Sequence, residues 1–280
     1  LPALLARAAV PREGMVDQGL RFIRRRTPAG RTYFVVNEGT ARIDGWVPLA
    51  ARVAGVALLD PMTTRTGFAA VRAAGGQTEV HLQLDPGESV VLRTAGGAAR
   101  GSPWRYRHTA GAPVPLRGRW DVHFLEGGPA LPAPFQTEVP VSWAGRRDTL
   151  ADRFAGTARY TLTFDAPGNA ADWLLDLGRV AESARVRLNG RDLGTLFAPP
   201  FRVRTGTLRR TGNVLELDVT NVSANRIRDL DRRGVKWKIF YDINIVGMDY
   251  KPLDASGWPL RPSGLLGPVT VQPLAHAPPS

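Results

Sequence analysis

Any catalysis by this chain would have to come from 25 acidic side chains, four histidines and scattered hydroxyls, because it contains no cysteine. Without cysteine there are no disulfides, no thiol nucleophile and no cysteine metal site. Carboxyl-pair chemistry needs two groups held about 5–5.5 Å or 6.5–9.5 Å apart and tuned to different proton affinities. No pair stands out here, and acids such as Asp85 and Asp192 sit in turns. His81, His108, His123 and His276 are far apart and lack metal-ligand spacing. His81 and His123 fall on the polar faces of alternating segments, where surface residues are the expectation. Neither Ser142 nor Ser263 lies in a nucleophile elbow. The glycines mark turns rather than the starts of helices, so no phosphate loop is present.

One segment does suit ligand chemistry. Residues 235–250 hold Trp237, Phe240, Tyr241 and Tyr250 among Lys236, Lys238, Asp242 and Asn244. Aromatic faces with amides and charges beside them fit a ligand that has both apolar faces and hydroxyl edges, as a sugar does. The same residues also fit a covering loop packed on a core or on a neighbouring domain. Asn225, Arg226 and Asp229 lie at the base of this segment, able to fix it by hydrogen bonds to backbone. The candidate sugar-binding or domain-interface set is therefore Asn225, Arg226, Asp229, Trp237, Tyr241 and Asp242, with no catalytic residue and no metal ligand. Asn189-Gly190-Arg191 is the other candidate loop, though a hairpin turn explains it as well.

The elements that would position these residues are strands. After a helical pattern at Leu1–Ala9, stopped by Pro11 and Gly14, the sequence turns to short apolar runs with turn signals every 8–12 residues. Leu20–Ile23 and Tyr33–Val36 flank Pro28-Ala29-Gly30 as a hairpin. Ile43–Leu49 follows, with Pro48 marking an edge, then Val56–Leu59 and a strand over Phe68–Ala73. Val80, Leu82 and Leu84 alternate with Glu79, His81 and Gln83, and Val90–Leu92 returns the chain. Residues 96–116 are rich in Gly, Ala and Pro and read as a linker, with Trp104 and Tyr106 docked on a neighbour. Alternation resumes at Trp120–Phe124 and recurs at Arg159–Phe164, Arg185–Leu188 and Leu215–Val219. No long amphipathic helix is expected between 117 and 275. The fold class is all-β: a connector over 1–18, an antiparallel β-sandwich over 19–95, a linker over 96–116, a jelly-roll sandwich over 117–275 and a short tail over 276–280.

The net charge of +12 does not point to nucleic acid: all but three of the 37 basic residues are arginine, and they are scattered rather than gathered into patches among aromatics. No apolar run approaches the roughly 18 residues of a membrane span, and Leu1–Val10 does not read as a signal peptide, lacking a charged start and a cleavage pattern. The chain starts without Met and is expected to derive from a longer precursor.

A series of motifs then narrows the reading. Residues 159–164 (RYTLTF), 175–180 (LDLGRV), 186–194 (VRLNGRDLG), 199–203 (PPFRV), 212–217 (GNVLEL) and 219–221 (VTN) run in order. This series resembles the galactose-binding-like jelly roll of family 2 glycoside hydrolases. Residues 225–229 (NRIRD) and 262–269 (PSGLLGPV), with 33–37 (YFVVN) and 59–67 (LDPMTTRTG) upstream, resemble the C-terminal region of bacterial family 106 α-L-rhamnosidases. The match spans residues 18–274. The resemblance implies the non-catalytic C-terminal part of a hydrolase acting on rhamnosides in plant or bacterial glycans, periplasmic or secreted. Its implied partners are an upstream catalytic barrel of the same polypeptide and carbohydrate, with no nucleic acid and no membrane. No strand–helix repeat of a barrel occurs here, so no catalytic residue carries over. No cofactor is implied; a structural calcium stays open, with no dense acidic loop to hold it. The alternatives are an independent carbohydrate-binding module and a purely structural interaction module. The family pattern is departed from over Arg228–Pro262, expected as a long aromatic and charged loop.

Overall fold

A computed structural model describes residues 12–97, 101–239 and 251–275. The chain divides into two compact units, the first through His108 and the second spanning Thr109–Leu274.

In the first unit a 3-10 turn (Gly14–Gln18) precedes eight strands: β1 (Leu20–Thr27), β2 (Gly30–Asn37), β3 (Ile43–Leu49), β4 (Gly55–Leu59), β5 (Thr66–Phe68), β6 (Val71–Ala74), β7 (Gln77–Leu84) and β8 (Ser89–Ala95). They form two antiparallel sheets, ordered β1-β2-β8-β4-β5 and β3-β7-β6. The period-2 alternation decides which side chains meet: Tyr33, Val35, Val56, Leu58 and Leu92 from one sheet join Val47, Leu49, Val80 and Leu82 from the other in one core. Thr27 pairs with Gly30 across the two-residue turn Pro28-Ala29. Pro48, which has no N–H to give a ladder, lies on the edge strand β3.

The run Phe68–Ala73 is not one strand. It is split into β5 and β6, which belong to different sheets, and the chain crosses between them at Ala69-Ala70. The crossing backbone stays bonded: Ala69 N–H donates to Val56 O (2.9 Å) and His81 N–H to Ala70 O (3.0 Å). The Tyr106 hydroxyl accepts from Ala70 N–H and donates to His81 O, both at 3.0 Å. Burial pushes the Tyr106 phenol up to about 12, so it is a neutral donor at any physiological pH. Residues 102–107 thus pack on the first unit. Arg107 reaches Glu88 at 2.6 Å and Asp85 at 3.3 Å.

In the second unit, short strands β9 (His108–Thr109) and β10 (Val114–Pro115) precede β11 (Trp120–Gly128), β12 (Phe135–Thr137), a capped turn of helix α1 (Thr149–Asp152) and β13 (Ala155–Phe164). Next come β14 (Asp172–Asp176), β15 (Arg179–Ala181), β16 (Ser183–Leu188), β17 (Arg191–Leu196), β18 (Arg202–Gly206) and β19 (Asn213–Thr220). Helix α2 (Ala224–Arg232), β20 (Gly264–Gly267) and β21 (Thr270–Ala275) complete it. A six-stranded sheet, β12-β11-β13-β19-β16-β17, faces a second sheet, β10-β21-β14-β18; β15 and β20 pair as a small third sheet. This is the expected all-β jelly-roll sandwich.

Its core takes alternate residues from both main sheets: Trp120, Val122, Tyr160, Leu162, Val186, Leu215 and Leu217 against Trp173, Leu175, Val203 and Val271. Burying an aromatic of this size contributes ~4–6 kcal/mol by area, an upper figure because unfolded chains are already partly compact. Asn189 and Gly190, both with positive φ (53° and 79°), make the two-residue turn between β16 and β17 that the sequence requires. On the outer face of the large sheet, Arg159 of β13 and Arg187 of β16 both bind Asp218 of β19, at 2.7 and 2.9 Å.

Candidate functional site

The expected loop over Arg228–Pro262 begins as a helix. Residues 224–232 are α2, and the described residues resume at Lys251. The pattern hid this helix because Ile227 and Leu230 are its only large apolar residues and the cap residue Ser223 makes no side-chain cap bond.

Of the sequence-predicted set, Asn225, Arg226 and Asp229 lie on α2 and Trp237 follows it, while Tyr241 and Asp242 fall outside the described residues. The four described residues do different things. Asn225 is 2% exposed and spends its amide on the chain's own backbone. Its Nδ2 donates to Arg261 O (2.8 Å) and to Ser263 Oγ (3.3 Å), while Arg261 N–H donates to Asn225 Oδ1 (2.9 Å). Asp229 binds Arg233 at 3.0 Å and Arg226 at 3.6 Å, so its charge is used within the helix. The Trp237 indole N–H donates to Asp231 at 2.6 Å.

Asp231, which pattern reasoning passed over, is the hub of this segment. Its other oxygen accepts from Ala255 N–H at 2.8 Å, and Lys238 Nζ stands 3.4 Å away. Burial raises its proton affinity. The Ala255 N–H, the Trp237 indole and Lys238 outweigh that and hold the carboxyl below the usual range. Trp237 is half-buried and outside the main core.

Beside α2 a polar network fixes residues 261–263. Asn221 Nδ2 donates to Phe154 O (2.9 Å) and Ser263 Oγ (3.1 Å), Ser263 N–H donates to Ser142 Oγ (3.1 Å), and Trp143 N–H donates to Ser263 O (3.0 Å). Gly264 follows, with φ +102°. A methyl group there would lie 2.6 Å from the Trp143 ring and closer still to the Tyr160 hydroxyl, so only glycine fits.

This anchored stretch forms one wall of a cleft of about 480 Å³, lined by Gly178–Glu182, Pro199, Phe201, Arg261, Pro262 and Leu266. The volume falls in the range of small-ligand sites, ~300–1,000 Å³. Val180, Pro199, Phe201, Pro262 and Leu266 give it apolar walls. Arg179, Glu182 and Arg261 give it charge, and all three are exposed. None of the three side chains forms an ion pair among the described residues, whereas Arg159, Arg185, Arg187 and Arg204 of the same unit each hold an aspartate. Phe197, on the loop that carries Pro199 and Phe201, is 62% exposed.

The cleft draws its residues from three stretches, around 180, 200 and 262. The sequence placed them in strands and turns but gave no sign that they meet. Asn225 is the link: it sits outside the cleft and clamps the backbone of Arg261 at its rim. Among the described residues no three His, Asp or Glu side chains gather as a metal site. A second cleft, of about 540 Å³ in the first unit, is lined by Arg52, Val53, Ala54, Ala73, Gly76–Thr78 and Gly96. Its arginine bonds to Gly76 O within the same wall, leaving few groups to direct a ligand.

No family model matches the chain. It is 33% identical over 188 residues to a putative β-glucuronidase from Formosa agariphila, an alignment that covers 59% of this chain and 16% of that protein. It superposes on a rhamnosidase from Novosphingobium sp. PP1Y with a TM-score of 0.73 and 28% identity, over 97% of this chain and 26% of that one. The chain therefore spans about a quarter of the solved relative and about a sixth of the curated one. These likenesses support a glycoside hydrolase-related pair of β-domains.

Proposed function

We propose that this chain is a non-catalytic C-terminal part of an α-L-rhamnosidase-like glycoside hydrolase, following a catalytic barrel in the same polypeptide and acting outside the cytoplasm on plant or bacterial glycans. One observation carries the reading: nearly the whole chain follows a rhamnosidase at 28% identity while spanning only 26% of it. Catalysis would then reside elsewhere, in keeping with the lack of a distinguished carboxyl pair. Asp218 is engaged with Arg159 and Arg187, and Asp231 with the Trp237 indole and Lys238.

The jelly roll's part in this reading is to hold glycan at the cleft beside α2, whose apolar walls suit sugar C–H faces and whose charged rim suits hydroxyls. Assay of the purified chain against a panel of aryl rhamnosides tests the non-catalytic assignment. No turnover is expected. Turnover that vanishes on changing a single Asp or Glu of this chain would overturn it. The coding region upstream of Leu1 tests the rest, and a sequence there without a strand–helix barrel would sink the rhamnosidase reading.

A further inference from the structure

The geometry points to a more specific ligand for the cleft: we infer that it takes an acidic sugar residue, a uronate, with Arg179 and Arg261 binding the carboxylate. This inference rests on the reading of the cleft as a glycan site.

The argument begins with the charge inventory of the unit. Arginines on its sheet faces are consumed locally: Arg159 and Arg187 by Asp218, Arg185 by Asp192, Arg204 by Asp172. Arg179, on β15, breaks that rule, and it lines the same cleft as Arg261, which lies on the segment before β20 and also holds no acidic side chain among the described residues. A guanidinium presents a planar fork of donors that matches a carboxylate, and it keeps its charge at any working pH.

Arg261 is also held in place. Its backbone N–H and C=O are both bonded to Asn225, and the next two residues are fixed through Ser263. A rim residue on free loop backbone would lose conformational freedom on binding; here the main chain is already fixed, and only the side chain has to order.

Glu182 decides against a generic anion site. It lines the cleft three residues from Arg179 and carries a carboxylate of its own. A multiply charged phosphate or a nucleic-acid backbone would be repelled by it. A uronate carries a single negative group and, on the rest of its ring, hydroxyl donors that Glu182 can accept. Pro199 and Pro262, both exposed, offer apolar surface for the C–H face of the same ring. One ring thus meets three kinds of wall: cationic, anionic and apolar.

The test uses the full chain in isothermal titration with three probes: a trigalacturonate, the same trisaccharide after carboxyl reduction, and inorganic phosphate. Trigalacturonate is expected to bind at least tenfold more tightly than its reduced form, and to weaken as salt rises. Arg179→Ala and Arg261→Ala should each abolish most of that preference while leaving the unfolding midpoint unchanged, since both side chains are exposed. Arg261→Lys should recover only part of it, because an ammonium keeps the charge without the fork. Equal binding of acidic and reduced trisaccharides would overturn the uronate inference but leave the glycan reading intact. Failure of both sugars to bind would overturn both. Phosphate binding as tight as the trigalacturonate would show a generic anion site and overturn the inference.

Discussion

Replacing Asn225 by alanine isolates the contact on which the cleft's rim depends. The side chain is 2% exposed and makes three hydrogen bonds, two of them with the backbone of Arg261 and one with Ser263 Oγ. A buried hydrogen bond is worth about 0.5–1.5 kcal/mol net, and stranding its partner costs more. The Ser263 hydroxyl keeps Asn221 as a donor at 3.1 Å, so that loss is cushioned. Of the two groups of Arg261, the N–H loses its acceptor and the carbonyl keeps only the long contact from Ser263 Oγ at 3.5 Å. Asn225→Ala should therefore destabilise the second unit by about 2–3 kcal/mol. Asn225→Asp keeps the shape and the acceptor for Arg261 N–H, but it places a carboxylate oxygen against Arg261 O and buries a charge. Burial raises the proton affinity of the new carboxyl above its unfolded value, so this variant should regain stability as pH falls and its neutral form takes over. Urea unfolding followed by tryptophan fluorescence reads this unit well, because five of the seven tryptophans (Trp120, Trp143, Trp173, Trp237 and Trp258) lie in it. A loss below about 0.5 kcal/mol for Asn225→Ala, the level of an ordinary surface change, would refute the clamp. So would a larger loss that leaves hydrogen exchange at the Arg261 amide unchanged.

Three further outcomes follow from the same contacts. Burial of Asp218 opposes its charge, but Arg159 and Arg187 outweigh that and hold its carboxyl below the usual range, so its contribution is full above the unfolded value of about 3.9 and is lost as pH falls further. Acid titration of stability should therefore be flatter in Asp218→Asn than in the parent, and an unchanged slope would contradict the ion-pair assignment. Trp237→Phe removes the indole donor to Asp231 and should cost about 1–2 kcal/mol, while Trp237→Ala should stay below the ~3–5 kcal/mol of a core aromatic; a larger loss in thermal or urea unfolding would place this ring in the core. Gly264→Ala, forced into positive φ and into the Trp143 ring, should prevent the second unit from folding or cost more than about 3 kcal/mol, and circular dichroism of a normally stable variant would disprove the close approach.

The strand skeleton was legible because its signals are local. Alternation at Val80–Leu84 and Leu215–Val219, the Pro28-Ala29 turn and the Asn189-Gly190 turn each act within a few residues, and each appears in the fold. The sheet crossing at Ala69-Ala70 was not legible: two alanines carry no punctuation, and Tyr106, which completes their bonding, lies 36 residues away. Helix α2 was missed for a related reason, since its nine residues hold only two large apolar side chains, both half-buried, and its firm anchor is a polar one, Asn225. Asn225 was singled out as a polar group able to bond backbone, and it does so; that it would meet Arg261, across the stretch expected as loop, is a long-range fact. The cleft shows the general limit. Arg179, Phe201 and Arg261 are unremarkable within their own segments, and only the sandwich topology brings them together.

The Asn225 clamp has a thermodynamic consequence. One carboxamide satisfies both backbone groups of Arg261, as a neighbouring strand would, but it is carried by a helix. Docking of that helix and readiness of the rim are then two readouts of one equilibrium. Linkage makes the coupling reciprocal: a ligand that favours the clamped rim must tighten the helix by the same free energy with which the docked helix improves its affinity. Slower exchange of the α2 amides on adding ligand would report that reciprocity from residues the ligand never touches.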